Sequence, residues 1–190
     1  MKHQNSSWAS VLMIAAAIIL AACSTSQTQL ESELGIKGAP DWVNKGTAYV
    51  NNKDGRLFLG VGSAAPMGDD SLQRATADDR ARAEVARIFS SYLDVVSNDY
   101  QASAKSGGNS VNEEAVSRQI KNLTKIDLAG AKIIAHWKDT KTKTLWSICE
   151  LDIKAVKDNV AARHDMNEDV QRYIQSNADN IFDRVSKEKK

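Results

Sequence analysis

The sequence predicts an α+β fold, in which a small antiparallel sheet of one strand plus a hairpin packs against one long helix and shorter helices, with a C-terminal helical extension. The first observation is an apolar run over residues 56–64, bounded by Asp54-Gly55 and Pro66, which is typical of a buried strand. The second is a segment, residues 69–105, that lacks proline and glycine. The third is a pair of alternating stretches on either side of residues 139–143, which indicates a hairpin.

The long helix is predicted over residues 69–105 because its apolar positions recur at steps of three and four. Asp69, Asp70 or Ser71 can cap its start, where acidic side chains also suit the helix dipole, and Gly107-Gly108 ends it. One face is therefore expected to be buried, and it carries Ala81, Val85, Ile88, Phe89, Tyr92, Val96 and Tyr100.

The hairpin is predicted from residues 131–138 and 144–153, and we expect it to pair symmetrically about Lys141. That register places three pairs opposite one another: Lys132 with Glu150, Ile133 with Cys149, and Ile134 with Ile148. The face assigned to the core then carries Ala131, Ile133, Ala135, Trp137, Leu145, Cys149 and Leu151.

Three shorter helices complete the predicted fold. A more polar helix is expected over residues 112–127, with a thin apolar stripe formed by Val116, Ile120 and Leu123. Two more are expected over residues 154–163 and 168–187. The last of them has one apolar side, which carries Val170, Ile174, Ala178, Ile181 and Val185.

The N-terminus has the pattern of a bacterial lipoprotein signal peptide over residues 1–22. A charged start is followed by an apolar core that ends in Leu20-Ala21-Ala22-Cys23. The core is too short for a confident membrane-spanning helix, which needs about 20 apolar residues, and no basic stop-transfer flank follows it. We therefore expect cleavage between Ala22 and Cys23 and lipidation of Cys23, including palmitate. The alternatives are an ordinary secretory signal with a chance cysteine and an uncleaved anchor helix.

The remaining chain divides into a lipidated cysteine with a flexible polar tether, residues 23–39, an α+β domain, residues 40–155, and a helical extension, residues 156–190. Ser24 follows the cysteine, where aspartate is the enterobacterial signal for retention at the inner membrane. We therefore expect the protein to be anchored in the outer membrane, with its domain facing the periplasm.

The charge of the mature chain argues against one class of partner, and its cysteine content argues against an internal disulfide. Removal of residues 1–22 takes away Lys2 and leaves 24 basic residues, equal to the 24 acidic ones. A balanced domain offers no general attraction to nucleic acid, which selects basic patches. With Cys23 lipidated, Cys149 is the remaining thiol, so no internal disulfide can form.

The segment Gly60-Val61-Gly62-Ser63-Ala64-Ala65 formally fits the dinucleotide fingerprint G-x-G-x-x-G/A. The context argues against it, because Pro66-Met67-Gly68 separates the segment from the helix whose N-terminus would have to meet the pyrophosphate. We predict no cofactor, and we expect the glycines to let the long helix pack closely against the strand.

Other groups of polar and charged residues could carry chemistry, but we favour a structural role for them. His164, Asp165, Glu168 and Asp169 could bind a cation, but carboxylates at a helix start are the common explanation. The charged run over residues 78–87 could recognise a carboxylate of a partner, but it is more typical of a solvated helix face. Cys149 lies in a predicted strand interior, and His136 belongs to no metal motif. We predict no metal site, no catalytic residue and no enzymatic activity.

Three ordered segments carry a resemblance to a known family: Pro40–Val43, Phe58–Ala64 and Ala77–Ala86. In these segments, and through the hairpin to Ile153, the sequence resembles the LPP-twenty-type family of small bacterial outer-membrane lipoproteins. The resemblance implies a lipid anchor and one compact domain with helices against a small antiparallel sheet. It also implies a part in flagellar or cell-surface assembly for some members. It defines no catalytic residues, and the chain beyond Ala162 lies outside it.

Anchor, fold class and resemblance together predict a non-catalytic lipoprotein that contributes to envelope or flagellar and surface-appendage assembly. We expect its contacts to be with envelope proteins or with further copies of itself. A periplasmic binding module for a cell-wall or small apolar ligand is the alternative, followed by a hydrolase.

Overall fold

The computed structural model describes residues 34–48, 55–106 and 113–188. Along them the elements follow in the order α1 (Asp41–Lys45), β1 (Leu57–Ala64), α2 (Asp70–Ser106), α3 (Glu113–Asp127), β2 (Lys132–Lys138), β3 (Leu145–Asp152), α4 (Ile153–Ala161) and α5 (Glu168–Glu188). Short 3-10 turns follow α1 and α3. All these elements belong to one compact unit, and none of the described helices is long and apolar enough to cross a bilayer.

The sheet has three antiparallel strands in the order β1-β3-β2. The central strand β3 pairs with β2, its partner in the hairpin, on one side and with β1 on the other. The long helix α2 packs across one face of the sheet and contacts β1 most extensively. The predicted α+β class is therefore confirmed, with one strand plus a hairpin and a C-terminal helix.

Asp69 caps the N-terminus of helix α2. The Asp69 carboxylate accepts hydrogen bonds from the backbone N–H groups of Ser71 and Leu72, at 2.7 and 3.1 Å. Five of the seven predicted core positions of this helix are buried, whereas Ile88 and Tyr100 are partly buried against the same core. The periodicity therefore identified the correct face of the helix.

The core is centred on four aromatic rings. Phe58 of β1 makes edge-to-face contacts with Phe89 and Tyr92 of α2 and with Phe182 of α5, at centroid separations of 5.0 to 5.4 Å. The Tyr92 hydroxyl donates to the Ala178 carbonyl at 2.8 Å, and burial raises the pKa of this phenol. Helix α5 therefore packs into the same core as the sheet and α2.

An ion-pair network on the surface also links α5 to the sheet. The Arg56 guanidinium donates two hydrogen bonds to the Asp183 carboxylate, at 2.7 and 2.8 Å, and lies 3.7 Å from Asp179. Lys157 of α4 contacts Asp179 at 3.1 Å. These contacts join the start of β1 to both C-terminal helices.

The predicted hairpin register is right near the open end and wrong near the turn. Lys132 pairs with Glu150 and Ile133 with Cys149, as expected. A β-bulge then leaves Ile134 without a cross-strand partner, so Ile148 pairs with Ala135 instead. The one-residue shift arises because Asp139 closes a loop that includes Thr144, with Asp139 N–H donating to the Thr144 carbonyl at 2.9 Å.

The bulge also changes which side chains of β2 face α2. Beyond it, His136 and Lys138 point toward the helix, whereas Ala135 and Trp137 lie on the opposite face of the sheet. The placement of Ala135 and Trp137 on the core face next to α2 was therefore wrong. The β3 residues Leu145, Cys149 and Leu151 are buried on the helix side, as predicted.

Candidate functional site

The predicted lipidation and cleavage residues, Cys23 and Ala22, lie outside the described residues, which begin at Leu34. The last part of the predicted tether is held to α1. The Asn44 side-chain amide accepts from the Ile36 N–H at 2.9 Å and donates to the Ile36 carbonyl at 3.2 Å. The chain that would lead to the anchor is therefore fixed to the domain at this point.

A polar cluster between α2 and the hairpin is formed by Asp78, His136 and Ser147. The Ser147 hydroxyl donates to Asp78 Oδ1 at 2.7 Å, and His136 Nε2 lies 2.7 Å from the same oxygen. Ser147 is fully buried, whereas the side chains of Asp78 and His136 are 17% and 29% exposed. One carboxylate thus joins the helix to both strands of the hairpin.

The order of the groups in this cluster determines its chemistry. In a nucleophilic triad the imidazole lies between the hydroxyl and the carboxylate and takes the hydroxyl proton. Here the carboxylate of Asp78 lies between Ser147 and His136, and the hydroxyl donates to the carboxylate. The arrangement is suited to fixing the hairpin on the helix rather than to activating Ser147.

Sequence reasoning did not find this cluster. Asp78 was grouped with the charged run, and His136 was treated as an isolated histidine on the hairpin. The signal would have been the pairing of His136 with Ser147 opposite α2, but that pairing exists only because of the bulge at Ile134.

Substitution of Asp78 by alanine is expected to lower the free energy of unfolding by about 1–3 kcal/mol, because it leaves the buried Ser147 hydroxyl without its acceptor. Urea denaturation followed by circular dichroism measures this change. Asp79→Ala is the matched control, since the Asp79 side chain is 79% exposed and only 3.7 Å from Arg82 in a surface ion pair. Equal midpoints for the two variants would contradict a stabilising role of the cluster.

The glycines of the dinucleotide-like segment are packed against the backbone of α2. A Cβ atom on Gly62 would lie 2.3 Å from the Ala81 nitrogen, and one on Gly60 would lie 2.5 Å from the Ala81 carbonyl oxygen. The space beside both glycines is therefore filled by the helix, as the sequence-based interpretation expected.

The acidic residues near His164 make local contacts. The Arg163 guanidinium donates to Asp165 at 2.9 and 2.6 Å, and this lowers the pKa of the Asp165 carboxyl group. Asp169 pairs with Arg172, and Asn167 caps the start of α5. Among the described residues, no group of three or more histidine, cysteine or acidic side chains is arranged to hold a metal ion.

The charged run on α2 also makes local contacts. Arg82 lies 3.7 Å from Asp79, and Arg87 lies 2.6 Å from Glu84. Arg80 instead donates to the Ser63 carbonyl of β1 at 2.6 Å. These arginines therefore form local ion pairs or bind the adjacent strand.

Cys149 is fully buried on the helix side of β3, and burial raises the pKa of its thiol to about 11. Because the thiolate is the reactive form, we expect no reaction of the native chain with a thiol reagent at pH 8, and one thiol per chain after denaturation. A quantitative Ellman assay measures both values. Two thiols in the denatured protein taken from membranes would show that Cys23 is free.

A cleft of about 470 Å³ lies where the open end of the hairpin meets α4. Its charged lining includes Lys132 and Glu150, which are cross-strand neighbours, and Lys154 and Asp158, which pair at 2.6 Å. Asp152 also lines the cleft and accepts a hydrogen bond from the Lys154 N–H as the cap of α4. The cleft thus presents both signs of charge to solvent.

Two of the segments that carry the family resemblance are in direct contact in the structure. Phe58–Ala64 is most of β1, and Ala77–Ala86 is the part of α2 that packs on Gly60 and Gly62. The third, Pro40–Val43, precedes and begins α1. The assignment to the LPP-twenty-type family stays a prediction. No protein-family model matches this chain, and no curated protein matches it.

Proposed function

We propose that this chain is a lipoprotein of the outer membrane, held there by acyl chains on Cys23, with a non-catalytic domain that faces the periplasm. The observation that carries the proposal is the segment Leu20-Ala21-Ala22-Cys23 at the end of a short apolar core. Two or more acyl chains give stable anchoring, whereas a single chain is marginal. Ser24 in the position after the cysteine supports the outer membrane as the destination.

We propose further that the domain acts through protein contacts in envelope or flagellar and surface-appendage assembly. The family resemblance supports this role. So does the edge strand β2, which among the described residues pairs only with β3. Its bulge residue Ile134 is 49% exposed, a large apolar side chain at the sheet edge. Edge strands and exposed apolar residues are places where another chain can bind.

Crosslinking of intact envelopes tests the proposed role. A C-terminally tagged chain is crosslinked in cells, extracted with detergent and purified, and bound proteins are identified by mass spectrometry. We expect specific envelope proteins, or further copies of the chain, with the wild type and fewer with Ile134→Glu. Arg118→Glu on the exposed surface of α3 is the control and is expected to retain the partners. Recovery of no protein partner with the wild type would contradict the proposal.

The cleft at the open end of the hairpin favours a second candidate, a periplasmic ligand- or cell-wall-binding module. Lys132 and Glu150 could contact the charged groups of a peptide cross-bridge. Co-sedimentation with purified sacculi tests this candidate. Binding that is lost in Lys132→Glu and retained in Lys121→Glu would favour it, whereas equal sedimentation of both variants would exclude this cleft as the site.

A further inference from the structure

The cleft at the open end of the hairpin is lined by charged side chains of two kinds. Some are engaged within the fold: Asp152 accepts from the Lys154 N–H at 2.8 Å, and Lys154 Nζ donates to the Asp158 carboxylate at 2.6 Å. The side chains of Lys132 and Glu150, in contrast, have no ion-pair or hydrogen-bond partner in the part of the chain that the structure describes. One positive and one negative charge of the cleft are therefore available to a ligand.

These two charges lie side by side on the hairpin. Lys132 and Glu150 are directly opposite one another in the pairing of β2 with β3, and Lys132 is exposed whereas Glu150 is partly buried. Opposite residues of antiparallel strands have Cβ atoms about 5 Å apart, so both side chains extend from adjacent points on the same face of the sheet. A ligand with a single charge would be attracted by one of them and repelled by the other. A ligand that carries both signs on neighbouring atoms complements both.

The cleft also has space for a small ligand beside the two charges. Its volume of about 470 Å³ lies within the range of roughly 300–1,000 Å³ that is typical of small-molecule sites. Two small residues, Gly130 and Ala155, line it and leave this space open. The partly buried Asn159 lines it as well, and its side-chain amide, which has no partner among the described residues, can donate or accept a hydrogen bond. The lining therefore suits a polar ligand rather than a large apolar one.

We infer that this cleft binds an α-amino acid head group, in which one carbon carries both an ammonium and a carboxylate. Lys132 binds the carboxylate, Glu150 binds the ammonium, and the Asn159 amide bonds to either group. The inference rests on the second candidate function, a ligand- or cell-wall-binding module, and names the chemistry that this module recognises. Free amino acids carry such a head group, and so does a diamino acid in a cell-wall stem peptide that has not been crosslinked.

Isothermal titration calorimetry of the full chain, purified in detergent, tests the inference with meso-diaminopimelate as the probe. Propionate and ethylamine are the comparison ligands, because each carries only one of the two charges. We expect diaminopimelate to bind, and each comparison ligand to bind at least about tenfold more weakly, since each loses one charge-assisted contact and leaves the opposite charge of the cleft unpaired.

Variants of the cleft locate the binding site. Lys132→Met and Glu150→Gln each remove one of the two charges, and each is expected to weaken the binding of diaminopimelate about tenfold. Ala155→Leu is expected to abolish binding, because the larger side chain fills the cleft without a change of charge. Lys121→Met and Glu114→Gln are the controls. They remove exposed charges of α3 that do not line the cleft, so binding should equal that of the wild type.

Titration with alanine and with a stem tripeptide that ends in diaminopimelate distinguishes the two sources of the head group. Equal affinities support a free amino acid as the ligand, and tighter binding of the tripeptide supports the cell wall. The inference would be overturned if no probe with this head group bound, if propionate or ethylamine bound as well as diaminopimelate, or if both charge variants bound like the wild type. Co-sedimentation with sacculi that still depended on Lys132 would then leave the cell-wall candidate intact without this ligand.

Discussion

Replacement of Gly62 by alanine is expected to destabilise the folded domain strongly. The added Cβ would lie 2.3 Å from the Ala81 nitrogen, 2.6 Å from the Ala77 carbonyl oxygen and 2.7 Å from the Arg80 carbonyl carbon. All three atoms belong to the backbone of α2, so no side-chain rotation can relieve the overlap. The strand and the helix would have to separate, and the contact between them is the most extensive in the described fold.

The expected loss in the free energy of unfolding exceeds that of ordinary overpacking. Inserting a methyl group into a well-packed core costs about 1–3 kcal/mol when side chains can adjust. Here only backbone can move, and we expect Gly62→Ala to lose at least about 3 kcal/mol, against a total of about 5–15 kcal/mol for a typical domain. Thermal denaturation or the yield of folded protein measures the loss.

Gly130→Ala is the matched control. A Cβ on Gly130 would meet its nearest neighbours, side-chain atoms of Leu151 and Ala155, at 3.5 and 3.6 Å, which is ordinary van der Waals contact. The Gly130 variant should therefore unfold close to the wild type. A Gly62→Ala protein as stable as the Gly130→Ala protein would show that β1 and α2 are not in backbone contact.

Substitution of Cys23 by alanine is expected to abolish both lipidation and removal of residues 1–22. In the proposed anchor the Cys23 thiol receives the diacylglycerol, and alanine has no group that can replace it. We therefore expect an unprocessed precursor that retains residues 1–22 and incorporates no labelled palmitate. Metabolic labelling followed by gel electrophoresis reads both the label and the difference in size.

Cys149→Ala controls for labelling at the second cysteine. Its side chain is buried in the sheet, so palmitate incorporation should equal that of the wild type. Unchanged labelling of the Cys23→Ala protein, or loss of labelling in the Cys149→Ala protein, would refute lipidation at Cys23.

The strands and the longer helices of this fold could be predicted because each has a local pattern, whereas the five-residue helix α1 was not predicted. The absence of proline and glycine from residues 69–105 and the regular apolar spacing within them located α2 to within one residue at each end. Residue type narrowed the cap of this helix to Asp69, Asp70 or Ser71, and the structure shows that it is Asp69. Burial of Phe89 and Val96 followed from the 3.6-residue period, which depends on the helix and not on its neighbours.

The hairpin register could not be predicted fully because it depends on two local features without a strong sequence signal. The loop closed by Asp139 includes Thr144. The pairing of β2 with β3 is therefore shifted by one residue near the turn, and the bulge at Ile134 accommodates this shift. A one-residue shift moves side chains to the other face of the sheet, which is why Trp137 was placed on the wrong side. The same shift brings His136 to Asp78.

The polar cluster of Asp78, His136 and Ser147 shows a second limit of local patterns. His136 and Ser147 lie 58 and 69 positions after Asp78 in the sequence, so only the packing of α2 on the sheet brings the three residues together. The role of Gly60 and Gly62 was easier to predict, because glycine inside a buried strand indicates close approach of another element.

Intact-mass spectrometry of the wild-type protein, extracted with detergent from outer-membrane fractions, tests the lipid anchor most directly. We predict a chain that begins at Cys23 and carries the added mass of a diacylglycerol and an amide-linked acyl chain. A chain that begins at Met1, or one in which Cys23 is unmodified, would contradict the account.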